Sequence, residues 1–406
     1  MTKTVIPIGP YHPLQEEPEF FELHVEGERV EKLVIHIGYN HRGIEKLAEG
    51  KTFDQVIFLV ERVCGICSTS HPIAAVNALE DLAGIRPPER ALYIRVVIGE
   101  LERLHSHLLW LGLAGHFIGY NTLWMWAWKA REPVLDIMER ISGNRNHYAM
   151  MKVGGVRRDL DPKDIPWVLK TLDSIKPSLD LFLKALEDDP VLALRLKKVG
   201  VLTREDIVAT GALGPTARAS GVDIDIRRDD PYAAYNRLEW KVILGAAGDV
   251  FDKAKVRVLE MKESVKMIGQ CLRELPPGEI DLRVKDLPPG EGIGRHEAPR
   301  GECFHYVLSD GSSCPVRYKI RAPSYMNIAT NYIAVKGETV SDAALILAAI
   351  DPCYCCTERM AVVENGRRRN LDGDRLVKLS QDKTLRLASE LGVEPESTLK
   401  RAKCEL

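Results

Sequence analysis

The sequence predicts an α+β fold, a central helical bundle with small antiparallel β regions near the amino terminus and in the carboxy-terminal third. Three observations carry this. Glu19 to Ile37 nearly alternates apolar and polar residues around Glu26-Gly27-Glu28, as a hairpin with one buried face does. From Thr52 to Leu194 the apolar spacing changes to the helical period. Cys303 to Ile320 then holds two β-type runs about Ser309-Asp310-Gly311-Ser312, and Asp-Gly is a strong short hairpin signal.

Within the helical stretch the period is clearest over Ala74 to Ala83, Glu89 to Gly112, Val134 to Ile141 and Ile165 to Leu186. A Gly- and Arg-rich loop, Thr210 to Asp229, precedes a further long helix expected over Asp230 to Leu275. Pro-Pro-Gly turns at Pro276 and Pro288 bracket a short extended piece. With a two-residue turn in the following hairpin, Cys303 lies opposite Tyr318 rather than Cys314, which makes Cys303 and Cys314 poor disulfide partners. A helix is expected over Ser341 to Ile350, and Met360 to Leu406 reads as polar and weakly patterned. The regions are therefore 1–50 (β), 51–275 (helical bundle), 276–359 (β hairpin and second cysteine motif) and a carboxy-terminal extension, 360–406.

The 406 residues, 45% hydrophobic and 28% charged, are those of an ordinary globular chain long enough for a large core. A formal net charge of -2 gives no electrostatic footprint for nucleic acid, and Arg367-Arg368-Arg369 reads as a solvated face. Met1 to Pro10 has no secretory pattern, so the intracellular side is expected. Leu108 to Trp128 is long, apolar and free of Asp, Glu, Lys and Arg, which meets the length of a membrane span. His116, Asn121 and two glycines interrupt it, and a helix buried on all sides of a bundle is equally apolar.

Nine cysteines in such a chain suit metal better than disulfides. Cys64/Cys67 and Cys353/Cys356 form two Cys-x-x-Cys pairs, each step bringing two sulfurs to one side of a turn. If a helix begins at the first pair, its free N–H groups favour the thiolate forms. Pro352 suits a first helical turn at the second. Four soft sulfur ligands suit nickel, iron and zinc alike. The pairs stand 286 residues apart (353 minus 67), whereas zinc modules gather their ligands locally. A functional transition-metal site, a structural zinc site and four core cysteines all remain open on chemistry alone.

Arg62-Val63-Cys64-Gly65-Ile66-Cys67 with His71, and Asp351-Pro352-Cys353 with Cys356 and Arg359, resemble the two signature motifs of nickel-iron hydrogenase large subunits. Gly9-Pro10-Tyr11-His12-Pro13, His41-Arg42-Gly43-Ile44-Glu45-Lys46, Ser106 to Gly112 and Arg321-Ala322-Pro323-Ser324 are similar to the quinone-site subunit of respiratory complex I. The mixture resembles the membrane-bound, energy-converting hydrogenases. The complex I subunits of that ancestry lack the four cysteines.

The resemblance implies a nickel-iron centre with cyanide and carbon monoxide on iron, Cys64 and Cys353 terminal on nickel, and Cys67 and Cys356 bridging the metals. His71, four residues past Cys67, would share its helix face and hydrogen-bond a bridging sulfur. In Glu297-Ala298-Pro299-Arg300-Gly301, Pro299 would line the cofactor, and Arg300 would hang over the open metal position, held there by a bidentate pair with Asp351. A terminal thiolate at Cys353 or near Cys356 would act as base, with Glu17 relaying the proton and the adjacent Glu16 the other choice. Cys355 reads as a buried spectator. Without another cysteine cluster for iron-sulfur cofactors, electrons must pass to an iron-sulfur small subunit. Membrane ion-pumping subunits, an electron carrier such as ferredoxin and a maturation protease acting between Arg359 and Met360 complete the implied partners. The implied location is peripheral, on the cytoplasmic face of the cell membrane. The implied reaction is reversible hydrogen formation and oxidation, the rival being a metal-free complex-I-like connecting subunit.

Overall fold

The computed structural model describes residues 3–13, 15–357, 362–369 and 373–392, and the chain divides into two compact units, Met1–Glu358 and Arg359–Leu406. Strands β1 (Lys3–Ile8), β2 (Phe20–Glu26) and β3 (Arg29–His36) form an antiparallel sheet in that order. The expected hairpin is β2-β3, and β1 adds a strand that the sequence pattern did not reveal. Phe21, Leu23 and Val25 point inward from β2 and the residues between them outward, the two-residue period that fixes which face is buried.

The long helices that follow are α1 (Phe53–Glu61), α2 (Ser70–Ala83), α3 (Glu89–Phe117), α4 (Asn121–Ser142), α5 (Ile165–Asp188) and α6 (Val250–Arg273). α3 is covered by α4 and α6 and buries residues on every side, so it shows no polar stripe. Its buried charges are paired: Arg95 grips Glu80 of α2 through two hydrogen bonds of 2.8 and 2.6 Å, and Arg103 donates to Glu100 at 3.1 Å. The apolar run Leu108 to Trp128 breaks between α3 and α4, and no helix among the described residues is long and apolar enough to cross a membrane.

The helix expected over Asp230 to Leu275 begins only at Val250. Pro231 and the left-handed Gly248 (φ +66°) break the segment before it, and Asp249 caps α6 by accepting the Asp252 N–H at 2.8 Å.

A second antiparallel sheet has the order β4 (Pro289–Ala298), β5 (Gly301–Asp310), β6 (Arg317–Arg321). The second Pro-Pro-Gly therefore opens a strand instead of closing one. Residues 311–316 make a loop longer than two residues, so Tyr318 pairs with Val307, and Cys303 pairs with His296 of β4. α2 lies directly on this sheet. A Cβ on Gly292 would come within 2.1 Å of the Ala78 carbonyl oxygen, and one on Gly294 within 2.0 Å of that of Ala74. Only glycine admits this approach, and it sets the start of α2 against Cys303 and His305. Helix α7 (Val340–Ala348) leads into the second cysteine pair.

The other unit holds a short hairpin, Val362–Glu364 with Arg367–Arg369, and a helix, Gly373–Glu390. The weak patterning expected there is thus corrected: Leu376, Leu379, Leu387 and their neighbours follow helical spacing. Arg359, Met360, Cys404 and Leu406 lie outside the described residues.

Candidate metal centre

The sulfurs of Cys64, Cys67, Cys353 and Cys356 lie within 4.8 Å of one another, and all four residues are buried. The first pair sits in the turn between α1 and α2, where the Cys64 sulfur accepts the N–H groups of Ile66 at 3.3 Å and Cys67 at 3.4 Å. The expectation that a helix starts at Cys64 is corrected. α2 starts at Ser70, and its free N–H groups go to Glu102 of α3, which accepts from Thr69 and, at 3.0 Å, from Ser70. In the second pair Cys353 is extended and precedes a single 3-10 turn, Tyr354–Cys356, that ends on Cys356, and the Cys353 N–H is bound to Ser324 Oγ at 3.0 Å. The Cys353 and Cys356 sulfurs approach to 2.7 Å.

Hydrogen bonds from Cys353, Cys356 and Cys67 hold the Cys64 thiol well below its ordinary range, while burial pushes Cys353 and Cys356 up. The quartet thus shares negative charge at one sulfur, and a thiophilic cation would displace the remaining protons. Four buried, converging thiol groups fit a soft transition metal.

Arg300 is buried beside them. Its Nη1 lies 3.5 Å from Cys67 Sγ and 3.1 Å from Ser106 Oγ. Nε donates to the Asp351 backbone oxygen at 2.7 Å, and Nη2 stands 2.7 Å from Asp351 Oδ1. The expected bidentate pair is therefore corrected to one carboxylate oxygen plus one carbonyl, which the left-handed backbone of Asp351 (φ +56°) turns towards the guanidinium. Burial opposes the charge on Arg300, but Asp351, Cys67, Cys353 and Cys64 outweigh it and hold it protonated. Pro299 is buried in the same turn.

His71 reaches the second pair instead of sharing a helix face with Cys67, which precedes α2. Its Nε2 is 3.6 Å from Cys356 Sγ. Burial keeps this imidazole neutral, pulling its pKa down to about 4.

Glu17 Oε2 accepts the Cys355 N–H at 2.5 Å, and burial together with Cys64 raises its carboxyl above the usual range. Glu16 has an exposed side chain, and its carboxyl is raised by desolvation and by the neighbouring Asp351 and Glu17 charges against the pull of Arg300. Cys355 is partly exposed, which corrects the reading of a fully buried spectator.

Two family profiles match the chain: "Nickel-dependent hydrogenase" over residues 42–113, and "Respiratory-chain NADH dehydrogenase, 49 Kd subunit" over 118–287 and 282–359. The chain is 40% identical over 410 residues to the membrane-bound hydrogenase subunit alpha of Pyrococcus furiosus, covering 97% of this chain and 96% of that protein. It is also 40% identical over 361 residues to the carbon monoxide-induced hydrogenase of Rhodospirillum rubrum, covering 88% of this chain and all of the relative. With an NADH-quinone oxidoreductase subunit of Rhizobium etli it shares 37% identity over 379 residues, 86% of this chain and 94% of that one. The chain belongs to the nickel-iron hydrogenase large-subunit family. Within that family it falls in the membrane-bound, energy-converting group that is homologous to the complex I 49 kDa subunit.

Several residues of this hydrogenase-family site were not singled out by sequence reading. Ser106 and Ser324 stood inside quoted motifs without an assigned contact. Glu102 looked like one more charge on a helix. Cys303 was read only as a poor disulfide partner and His305 was not read at all, because only the β5 alternation and the packing of α2 bring them to His71, whose Nδ1 lies 3.0 Å from His305 Nε2 and 3.4 Å from Cys303 Sγ. Arg42 was legible only as part of a motif, and its contacts link the two cysteine pairs.

Proposed function

We propose that the chain is the catalytic subunit of a membrane-associated nickel-iron hydrogenase that forms and oxidises hydrogen reversibly. The observation that carries this reading is the closure of four sulfurs from opposite ends of the sequence beneath a buried, charged arginine. Cys64 and Cys353 would hold nickel terminally, and Cys67 and Cys356 would bridge it to an iron bearing cyanide and carbon monoxide. Such a centre, when bound, supplies a hydride acceptor and polarises hydrogen.

The chain's own residues supply the rest. Arg300 fixes a positive charge beside Cys67 and, being clamped by Asp351 and Ser106, needs no reorganisation to do so. Pro299 would line the cofactor beside it. His71 faces the Cys356 sulfur through Nε2 at 3.6 Å. A proton released to a terminal thiolate passes to Glu17, whose raised carboxyl holds it more firmly than a solvated one and hands it towards the exposed Glu16.

Among the described residues no second cysteine quartet exists, so electrons leave through an iron-sulfur cluster in a small partner subunit. Membrane ion-pumping subunits and a soluble carrier such as ferredoxin complete the assembly at the cytoplasmic face of the membrane. A maturation protease cuts between Arg359 and Met360. Intact-mass measurement of the active complex checks the cut, and a fully active subunit retaining Leu406 rejects it.

Infrared spectroscopy and nickel analysis of the purified complex test the main proposal. Bands from iron-bound cyanide and carbon monoxide, and loss of hydrogen activity in Cys64→Ser, are expected. A complex with neither nickel nor these bands would instead be a connecting subunit of the complex I kind. Stoichiometric zinc, with unfolding on chelation, would make the quartet a structural site.

A further inference from the structure

Three buried side chains form a row that starts at His71 and runs away from the cysteines. Nδ1 of His71 lies 3.0 Å from Nε2 of His305, and Nδ1 of His305 lies 2.8 Å from the Tyr318 hydroxyl. None of the three residues is more than 1% exposed. The sheet builds this row. Cys303, His305 and Val307 alternate onto the face that β4 leaves open at Gly292 and Gly294, and Tyr318, opposite Val307, is the diagonal neighbour of His305.

The proton positions follow from the far end of the row. Among the described residues the Tyr318 hydroxyl has one hydrogen-bond partner, His305 Nδ1. If it accepted from that nitrogen, its own proton would be buried without an acceptor, at a cost of about 1–3 kcal/mol. Tyr318 therefore donates. A neutral His305 must then carry its proton on Nε2, and it donates to Nδ1 of His71. His71 in turn is left with its proton on Nε2, facing Cys356 Sγ at 3.6 Å. Each link points towards the sulfur, and a row that ends on a buried phenol without an onward partner does not conduct protons.

We infer that Tyr318 and His305 are positioning residues that lock His71 in the tautomer donating to Cys356, so that one sulfur of the quartet is distinguished from the others by a hydrogen bond set from β6. Its effect on the metals rests on the hydrogenase reading. The orientation of the row does not.

Nitrogen-15 spectra of the full chain labelled at histidine, with His71→Gln and His305→Gln for assignment, read the tautomers directly and need no metal. Both residues should be Nε2–H forms in the parent. Tyr318→Phe should turn both into tautomer mixtures. In a Cys303→Ala background, which removes the thiol 3.4 Å from His71 Nδ1, His305→Leu should release His71, whereas His305→Gln, whose amide still offers an N–H, should keep it as the Nε2–H form. In the loaded enzyme Tyr318→Phe should lower the carbon monoxide stretching frequency, because the sulfur returns density to iron. A parental His71 protonated at Nδ1 overturns the inference. So does a His71 unmoved by His305→Leu in the Cys303→Ala background, or a further metal lost on Cys303→Ala, which would make His71, Cys303 and His305 ligands. If Tyr318→Phe does not fold, the parental spectrum and the Leu/Gln pair still decide. A chain that never takes up nickel fails the proposed function and leaves this inference to the nitrogen spectra.

Discussion

Arg42 binds the first cysteine pair to the second: its guanidinium donates to the Val63 carbonyl at 2.7 Å and to that of Cys355 at 3.3 Å. A third hydrogen bond, 2.8 Å to the Arg62 carbonyl, fixes its plane. Arg42→Ala should loosen the two segments without disturbing the helices. The expected loss is about 1–2 kcal/mol of stability, with faster release of metal to a chelator. Circular dichroism and chelation kinetics check this, and unchanged metal release would refute the clamp.

Arg300→Lys keeps the charge but loses the planar contacts to Asp351 and Ser106. Metal should still load, while turnover falls by on the order of 10²-fold, as when one preorganised donor is removed. Near-parental hydrogen evolution would count against the role given to Arg300.

Gly294→Ala places a methyl group against the Ala74 carbonyl at the α2 contact. The helix must move off the sheet, costing about 1–3 kcal/mol or more as overpacking does. Denaturant midpoints measure the loss. Because α2 carries His71, the Cys356 contact should weaken in parallel.

Much of this architecture was legible in residue patterns, and the misses share a cause. Helices α2, α3 and α5, the β2-β3 hairpin and both cysteine pairs declare themselves by local periodicity or spacing. The missing half of the helix expected from Asp230 was lost to Pro231 and Gly248, local signals that the apolar pattern outweighed. His305 and Tyr318 were invisible because their meaning depends on which strands pair. A turn a few residues longer than two shifts every partner across β5 and β6. The start of α2 was misplaced because Glu102, more than thirty residues away, supplies the cap.

Lys253 is fully buried in α6, its Nζ donating to the Gly200 carbonyl at 2.9 Å. Burial, with Arg257 nearby, lowers its pKa from 10.5 to about 7. Between those values the unfolded chain binds a proton that the folded chain has given up. This residue therefore makes stability rise as pH rises from about 7 towards 10.5. Lys253→Met should flatten that part of the profile and raise stability most at neutral pH. Thermal unfolding across the range tests it, and an unchanged slope would show that Lys253 stays charged.

Glu17→Gln should slow proton delivery while leaving the cysteine quartet intact, since an amide still accepts the Cys355 N–H. The pH dependence of hydrogen evolution and of isotope exchange separates this from a structural defect. If only Glu16→Gln has the effect, the relay begins one residue earlier.

The distance in sequence between the two cysteine pairs has a polymer consequence. A metal gripped by Cys64 and Cys353 ties a loop of about 290 residues, and by the chain-entropy relation for a covalent tie that restricts the unfolded chain by roughly 5–6 kcal/mol. The catalytic centre would then act as the knot of the whole unit, cinching its two ends after the polypeptide between them has folded. Extracting it would return that freedom to the unfolded ensemble even where the folded atoms do not move.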